Sequence, residues 1–321
     1  MSSALRFKLV LMLMASNVLM VSSAQAAGHD AGFQINLIPK FVRNQFEEIR
    51  TSKALNPTFG TDDNITRAQA NKNIISDRFV RLDGRLTTKA EVSFNKAFIL
   101  ELSAGHQAHE FSESLNRTEL SARLIYRWQT SFAYDSPWYQ VFADYQYWLT
   151  DVEQRRSHIY TAQALASARF TTKIRWVLGL ENKQRLSEGA VFDTQQNRLF
   201  ANIDYDFRNG LAVYGAYGFI KGNTLSSVQS QYCNGLASTS IYALITASDD
   251  IEWDQAFSED YCGNWISYRL DAQTHTGTLG FNYAFNHSTA IDASFLYVTV
   301  DATGDIEYQR QIFQVSLLKG F

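Results

Sequence analysis

Basic residues stand two positions apart in several stretches of this chain, and they are its most chemically suggestive side chains. Positions two apart lie on the same face of a β-strand. The basic residues predicted to share the inner faces of such strands are Arg81, Arg85, Lys89, Arg117, Arg123, Arg127, Arg169, Lys173, Arg175, Lys183, Arg185, Arg198 and Arg310, together with Lys40 and Arg208. If the strands surround a pore, rings of Arg and Lys attract anions, because the low-dielectric walls concentrate the electric field.

Acidic residues alternate on the same predicted faces and leave two interpretations open. They are Asp83, Glu91, Glu101, Glu119, Asp144, Glu181, Asp204, Asp206 and Asp292. Fifteen basic residues against nine acidic ones predict a lumen charge near +6. The charges either leave a basic pore or pair across neighbouring strands as a structural network that fills the interior.

The stretch 222–264 is the second unusual one. It contains no Lys or Arg, since none occurs between Lys221 and Arg269. Its acidic residues are Asp249, Asp250, Glu252, Asp254, Glu259 and Asp260. It also holds both cysteines, Cys233 and Cys262, and two cysteines in one loop of an exported chain predict a disulfide. Such a loop either folds into a basic lumen as a constriction or lies on the surface in solvent.

Metal-binding and hydrolytic motifs are incomplete in this sequence. From Asp250 onward three acidic residues have the one-three-five spacing of a calcium loop, but Gln255 stands where that loop requires glycine. His106, His109 and His158 lie near the predicted outer rim, and no Ser or Asp follows them at a spacing typical of a hydrolase. We therefore expect no cofactor, no metal and no catalysis.

The elements that carry the charges are stretches in which apolar and polar residues alternate. In 79–92, Val80 and Leu82 face one way and Arg81 and Asp83 the other. A strand with such a charged face cannot line a dry core, so we expect it to separate lipid from a polar interior. Strands are predicted at 33–41, 79–92, 96–106, 117–130, 139–149, 158–170, 173–185, 198–207, 211–219, 265–285, 291–300 and 307–321.

Twelve strands place both chain ends on one side, which is the periplasmic side of an outer-membrane barrel. The short connections fall on that side and most of the longer ones outside, as expected for such barrels. The longest outer loops are predicted at about 42–77 and 222–264. Bacterial barrels have even strand numbers. Parity therefore favours the weakest strand, 33–41, although Pro39 interrupts it.

The N-terminus predicts export. Arg6 and Lys8 precede an apolar run followed by small residues at both cleavage-determining positions, which is typical of a signal peptide over residues 1–26, with 27–321 as the mature barrel. Without those two basic residues, 29 Lys+Arg become 27 against 32 Asp+Glu, a net charge near −5. This balance argues against a nucleic-acid partner. Aromatic residues make up 14% of the chain, as expected where they gather in interfacial girdles.

The last predicted strand, 307–321, alternates an apolar face with one that carries Ser316 and Gln314, and it ends on Phe321. A terminal strand that ends on Phe resembles the closing strand of Gram-negative outer-membrane barrels, whose assembly machinery recognises such an ending. Lys319 departs from that pattern, because an apolar or aromatic residue usually stands there. We expect its ammonium group to reach the membrane interface.

The signal peptide, the length, the twelve strands and the terminal Phe together resemble the translocator barrel of autotransporters. Only residues 27–32 precede the first predicted strand, too few for a passenger, so the solitary form of that barrel is the nearest resemblance. It implies outer-membrane lipid, lipopolysaccharide and the barrel-assembly machinery as partners.

We thus predict an all-β protein, a single 12-stranded antiparallel transmembrane β-barrel, monomeric and located in the outer membrane. Two functions stay open for it. One is a narrow, basic-lined pore for small anionic solutes. The other is a non-conducting barrel that presents its loops as a receptor or interaction surface.

Overall fold

The computed structural model describes residues 26–27, 34–35, 50–93, 95–131, 133, 135–207, 209–238 and 246–321. The strands are β1 (Ala26–Ala27), β2 (Gln34–Ile35), β3 (Arg50–Asp62), β4 (Asp77–Ser93), β5 (Lys96–His109), β6 (Arg117–Gln129), β7 (Trp138–Thr150), β8 (Ser157–Arg169), β9 (Ile174–Ser187), β10 (Thr194–Asp206), β11 (Leu211–Gln231), β12 (Asp250–Trp253), β13 (Asn264–Asn286), β14 (Thr289–Ala302) and β15 (Ile306–Gly320). The one complete α-helix within the described residues is α1 (Gln255–Asp260), and 3-10 turns lie at Asn71–Asn73, Glu113–Leu115, Glu153–Arg155 and Ala190–Phe192.

Twelve of these strands form one closed antiparallel barrel. Strands β3 to β11 pair in sequence order, β3 also pairs with β15, and β15 continues through β14 to β13. The pairing of β13 with β11 closes the ring. Closure leaves no sheet edge unpaired, which a structure inside a bilayer requires. Strand β12 lies outside the ring and pairs only with residues 266–269 of β13.

Alternation of side chains confirms eleven of the twelve predicted strands; their ends are shifted by a few residues, except that β11 continues twelve residues beyond its predicted end. Along β9, Leu178 and Leu180 point outward and are 50% and 61% exposed, while Gly179 between them faces inward and is buried. The same alternation in β4 turns Val80 outward and Arg81 inward. The chain therefore separates an apolar exterior from an interior that carries the charges.

The prediction of the first barrel strand was wrong. The position beside β15 is taken by Arg50–Asp62, which lies within the predicted loop 42–77. Most of the predicted strand 33–41 lies outside the described residues, and its Gln34 and Ile35 pair with β1. The Asn56-Pro57 dipeptide made this segment resemble a loop. The pairing of β3 with β15 tolerates this dipeptide, because the residues on either side of it have partners in β15 whereas positions 56 and 57 have none there.

The position of β3 bears on the resemblance to the solitary autotransporter barrel. Residues 27–49, not only 27–32, precede the first barrel strand. The short N-terminal extension therefore no longer argues against a passenger or a segment within the lumen. The predicted signal peptide lies outside the described residues except for Ala26.

The predicted loop 222–264 is only partly a loop. Strand β11 continues to Gln231 and β13 begins at Asn264, so the two strands form a ribbon that extends beyond the rest of the barrel. Between them lie β12 and α1. We call residues 246–262 the cap.

The interior is more apolar than predicted. On the inner side of β13, β14 and β15, the side chains of Leu270, Val300 and Ile312 are 0%, 4% and 2% exposed and pack in one cluster with Tyr268. Ile251 of the cap packs against the same cluster. Below the cap, one side of the barrel interior is therefore a dry core, and the charged residues face it from the other side.

The exterior carries two levels of aromatic residues. Near the short turns, Phe98, Tyr126 and Trp128 stack on one another with ring centroids 4.9 and 5.3 Å apart. Toward the other end, Tyr145 and Tyr160 pack beside His158. Exposed Leu, Ile, Val and Phe side chains lie between these levels. An apolar band between two aromatic girdles is the lipid-facing surface of a transmembrane barrel. Among the described residues, no helix has the length and apolarity needed to cross a bilayer.

Candidate functional site

The cap covers the end of the barrel opposite the short turns. Helix α1 packs on the 3-10 turn Glu113–Leu115, and β12 packs on the turn Ala190–Phe192. Phe257 of α1 is 2% exposed, and its ring lies 5.5 Å from that of Trp265. The outer connections thus form one folded layer across the mouth, which agrees with the predicted constriction rather than with a solvated surface loop.

Asp254 is the centre of that layer. It is fully buried at the start of α1, where its side chain accepts a hydrogen bond from the backbone N–H of Phe257. Arg155, from the turn between β7 and β8, donates to it over 2.8 Å, and so does the Ser227 hydroxyl. The hydroxyl of Ser267 donates as well. One carboxylate therefore ties the cap to three separate parts of the barrel.

The other predicted acidic residues also bind neighbours. Asp260 accepts hydrogen bonds of 2.9 Å from the N–H and the hydroxyl of Ser114, and Glu252 accepts one of 2.9 Å from the Gln154 amide. Asp250 lies 3.7 Å from the guanidinium of Arg269, and Asp249 accepts a hydrogen bond of 3.5 Å from Asn223. Glu259 accepts a hydrogen bond of 2.7 Å from Gln255 within the cap. Much of the acidic charge of this segment therefore attaches the cap to the rim of the barrel.

The cap should be stable to mild acid and should loosen only in strong acid. Burial alone would raise the pKa of Asp254, but the charge of Arg155 and the bonds from Ser267 and Ser227 outweigh it and lower that pKa below 3.8. A depressed carboxyl pKa stabilises the folded form at every pH above 3.8, and this contribution is lost as the pH falls through the lower folded value. Acrylamide quenching of buried Trp265 should stay low at pH 7 and pH 5 and rise below pH 3.8.

The variant Asp254→Asn is the control for this pH dependence. It lacks the titrating group, so its quenching should already be high at pH 7 and should change little in acid. A wild-type cap that loosens between pH 7 and pH 5 would contradict the role given to Asp254.

The predicted disulfide is confirmed. Cys233 follows the end of β11 and Cys262 precedes β13, and the two sulfurs are bonded with the Cα atoms 5.3 Å apart. The bond closes a loop of 29 residues that includes the whole of β12 and α1. Because a cross-link restricts the unfolded loop, it limits how far the cap can move from the barrel.

Charge pairing accounts for more than half of the predicted inward basic residues that the structure describes. The ion pairs are Arg81 with Asp83 (2.6 Å) and Glu119 (2.8 Å), Arg117 with Glu119 (2.6 Å), Arg123 with Glu101 (3.6 Å) and Asp144 (3.4 Å), Arg175 with Asp204 (2.5 Å), Arg198 with Glu181 (3.9 Å), Arg310 with Asp62, and Lys89 with Glu91. Seven of thirteen basic residues thus meet a carboxylate. The network interpretation therefore describes much of the inner wall.

The remaining predicted basic residues lie in different surroundings. Arg127 donates to Gln140 over 2.9 Å, and Lys173 donates to the Tyr205 hydroxyl over 3.4 Å. Arg185 donates to the hydroxyls of Ser157 and Ser187 over 2.9 and 3.1 Å. Exposed Arg169 is at the short-turn end of β8, Arg85 is half-buried on the inner face of β4, and Lys183 lies above an indole ring.

The predicted lumen charge of +6 is too high for the described residues. Asp62 and Asp77 also face inward, although both lie in the predicted loop 42–77 and neither is among the nine predicted acidic residues. Lys40 and Arg208 lie outside the described residues. The inner faces then carry thirteen basic against eleven acidic residues. A clear excess of positive charge can therefore exist only in one part of the lumen.

The local excess of basic groups lies beneath the cap. A cavity of about 70 Å³ is lined by Arg67, Lys183, Arg185 and Arg310, with no Asp or Glu among the described residues that line it. A second cavity of about 90 Å³ adjoins it and shares Arg67, Arg185 and Arg310. Oxyanions and carboxylates are the ligands that such groups bind best.

Arg67 was not predicted, because it lies in the outer connection between β3 and β4. It has a positive φ of 57°, a conformation that is unfavourable for a side chain other than Gly or Asn. The carbonyl of Asn64 and the hydroxyl of Ser226 hold it by bonds of 3.2 and 2.6 Å. Strain of this kind often marks functional positions, and here it belongs to a residue that lines both cavities.

The histidines do not form a hydrolase constellation. His109 lies with its Nδ1 3.3 Å from buried Asp77, a partner that the sequence had not revealed, and its Nε2 lies 2.8 Å from the Gln107 amide. His106 and His158 face outward and bond to hydroxyls. Within the part of the chain that the structure describes, no group of three or more potential metal-binding residues comes together.

No protein-family model matches this chain, and no curated protein matches it. Solved structures that are similar to it include the KdgM porin in complex with disordered oligogalacturonate, at 9% identity over 84% of this chain and 99% of that one, with a TM-score of 0.40. The COG4313 outer membrane channel from Pseudomonas putida F1 matches at 11% identity over 87% and 99%, with a TM-score of 0.49. The transport unit of the autotransporter AIDA-I from Escherichia coli matches at 8% identity over 88% and 94%, with a TM-score of 0.42.

Such low identities carry no function over to this chain. Its architecture follows from its own strand pairing and lipid-facing belt. The chain is a twelve-stranded transmembrane β-barrel of the outer-membrane type, in which the first and last barrel strands, β3 and β15, pair with each other and a disulfide-linked cap covers one end.

Proposed function

We propose that this barrel is a narrow pathway for small anionic solutes and that the cap closes its outer mouth. The observation that carries the proposal is the cavity lined by Arg67, Lys183, Arg185 and Arg310. An anion that enters beneath the cap would meet positive charge in surroundings of low dielectric constant, where the field is strong. The paired charges elsewhere on the wall would keep the remaining pathway close to neutral.

Planar-bilayer recordings of the purified mature chain in a potassium chloride gradient test this proposal. We expect discrete openings whose reversal potential lies closer to the equilibrium potential of chloride than to that of potassium. The open probability should be low, because the cap is closed. Lys183→Glu should lower the anion preference severalfold, since it replaces a cation with an anion in the cavity. Exposed, outward-facing Lys221→Glu is the matched control and should leave the preference unchanged.

Two outcomes would contradict the proposal. One is cation preference in the wild-type chain. The other is a silent bilayer both for the wild-type chain and for the variant Arg155→Ala, whose cap is expected to be released.

A second function is favoured by the folded layer across the mouth. Three outer connections, through Ser114, Gln154 and the carbonyl of Ala190, hydrogen-bond to the cap or to the ribbon that carries it. A rigid, acidic outer surface suits a barrel that presents a receptor or interaction face without conducting. Replacing residues 234–261 by a short linker would then abolish binding to a partner surface while the barrel still assembles and the bilayer stays silent.

We also propose that the barrel is not an enzyme. The support is geometric, since the described polar contacts of the His109 ring are to Asp77 and Gln107, and no Ser, Thr or Cys side chain is among them. Lipid or peptide cleavage by the purified barrel that is lost in His109→Ala would contradict this proposal.

The finer statements about location and partners belong to the same proposal. Phe321 at the end of the chain is 38% exposed, beyond β15, where the barrel-assembly machinery would recognise it. Lys319 reaches the Thr289 hydroxyl over 2.9 Å. Deletion of Phe321 should therefore slow assembly without changing the finished barrel, and the lipid-facing belt would contact phospholipid and lipopolysaccharide.

A further inference from the structure

Trp148 on β7 has an unusual environment in the barrel interior. Its side chain is buried, with 7% exposure, and its Nε1–H has no hydrogen-bond partner among the described residues. A buried donor without a partner costs on the order of 1–3 kcal/mol, so such groups are rare in proteins. Trp148 lines both cavities beneath the cap, so an acceptor that enters them lies next to its indole.

Three basic side chains surround the same indole. The guanidinium carbons of Arg117 and Arg185 lie 4.3 and 4.9 Å from the ring centroid, and the ammonium nitrogen of Lys183 lies 5.9 Å from it. The face of an indole attracts cations, but three like charges around one ring repel each other. A negatively charged ligand next to the ring would relieve that repulsion and would accept a hydrogen bond from the indole N–H.

The charges that line the two cavities are unequal. Six basic side chains line them against one carboxylate, that of Asp62. Asp62 is held by Arg310, Glu119 is shared between Arg81 and Arg117, and Asp254 is held by Arg155. Six basic side chains against these three carboxylates still leave a positive surplus around the cavities.

The cavity volumes limit the size of a ligand. About 70 and 90 Å³ each accommodate several water molecules. An ion with four or five heavy atoms fits such a space. The hydroxyls of Thr224 and Tyr308 border the smaller cavity and provide further polar contacts.

We infer that Trp148, together with Arg117, Lys183 and Arg185, forms an oxyanion site that binds one small phosphate or carboxylate ion. The oxygen of the ion accepts the indole N–H, and the three cations neutralise its charge. This inference deepens the proposed function, because it places the binding step for the anion directly beneath the cap.

Equilibrium binding to the detergent-purified, disulfide-intact chain tests the site. Inorganic phosphate and acetate, each compared with chloride at equal ionic strength, should raise the thermal unfolding temperature and give a saturable calorimetric signal. Trp148→Phe keeps the aromatic ring and removes the donor, so phosphate binding should weaken at least tenfold. Lys183→Gln should weaken it to a similar extent. Trp253→Phe, at a half-exposed position of β12, is the control and should bind as the wild type.

The outcomes separate this inference from the proposed function. Saturable binding of phosphate alone, acetate alone or both, lost in Trp148→Phe, supports the site even if bilayers stay silent, in which case only the pathway is rejected. Equal affinities for wild type and Trp148→Phe, or equal effects of chloride and the oxyanions, overturn the site. An anion-selective conductance would then still support the pathway.

Discussion

Replacing Arg155 with alanine is expected to open the outer mouth of the barrel. Asp254 is fully buried, and its only ion-pair partner among the described residues is Arg155. Removing one partner of a buried ion pair typically costs about 3–5 kcal/mol, because the other charge stays buried without compensation. The cap is otherwise held by hydrogen bonds, by the packing of Ile251 and Phe257 and by one disulfide. We expect that cost to exceed these contacts, so the cap should detach while the barrel stays closed.

The loss extends beyond the charge. The guanidinium carbon of Arg155 lies 4.6 Å from the ring centroid of Phe192 and 5.4 Å from that of Phe257. Arg155 therefore joins a 3-10 turn of the rim to α1 of the cap by stacking as well as by its bond to Asp254. In the alanine variant both contacts disappear, and Phe257 should become accessible.

Two measurements check this expectation. The open probability in planar bilayers should rise at least tenfold over that of the wild type. Chymotrypsin should cleave the cap at Phe257 or Tyr261, whereas trypsin has no site there because the segment contains no Lys or Arg. The matched control is Arg156→Ala, which loses a pair with exposed Glu153 at 3.5 Å and should behave as the wild type. An Arg155→Ala cap that resists chymotrypsin would show that other contacts hold it.

Alternation was sufficient to predict eleven strands, because each of them must hold apolar residues against lipid and polar residues away from it. That requirement is local and has a period of two, so it can be detected without knowledge of neighbours. Strand β3 escaped detection because its outward face offers only Leu55, Pro57 and Phe59, with Lys53 and Thr61 at its ends. The strand is instead specified by its partners on both sides, which a single stretch of sequence does not reveal.

The candidate site was predicted only in part for a related reason. Arg185 and Lys183 were placed inward from alternation alone, and Trp148 occupies an inward position of the same kind in its strand. The convergence of these three side chains depends on the register of β7, β8 and β9. Arg67 and Arg155 lie in outer connections, where no periodicity indicates direction. Long-range register and loop packing therefore carry the information that the sequence analysis lacked.

A disulfide between β3 and β15 is expected to have the second large effect, because it would join the first and last strands of the barrel covalently. Thr58 on β3 and Ser316 on β15 are direct cross-strand partners, and their hydroxyl oxygens lie 2.7 Å apart in the interior. Directly opposite residues have Cα separations of about 4.5–5.5 Å, within the range of a disulfide. The double variant Thr58→Cys, Ser316→Cys should therefore cross-link spontaneously in the oxidising periplasm.

The expected stabilisation is large because the two positions are 258 residues apart. In the chain-entropy description, closing a loop of that length restricts the unfolded chain by about 5 kcal/mol. On a non-reducing gel, boiled double variant should migrate faster than boiled wild type, because the denatured chain is cyclic. Reductant should abolish that difference.

The controls decide between two closing strands. Each single variant, and the pair Thr58→Cys with Ser294→Cys one strand further round the barrel, should show no shift. If the seam were instead formed by residues 33–41, position 58 would lie in an outer loop and the Thr58–Ser316 pair would not cross-link either. A shift confined to that pair places Arg50–Asp62 beside β15, and the inward direction of Asp62 and of its ion pair with Arg310 at the basic cavity follows from the same register.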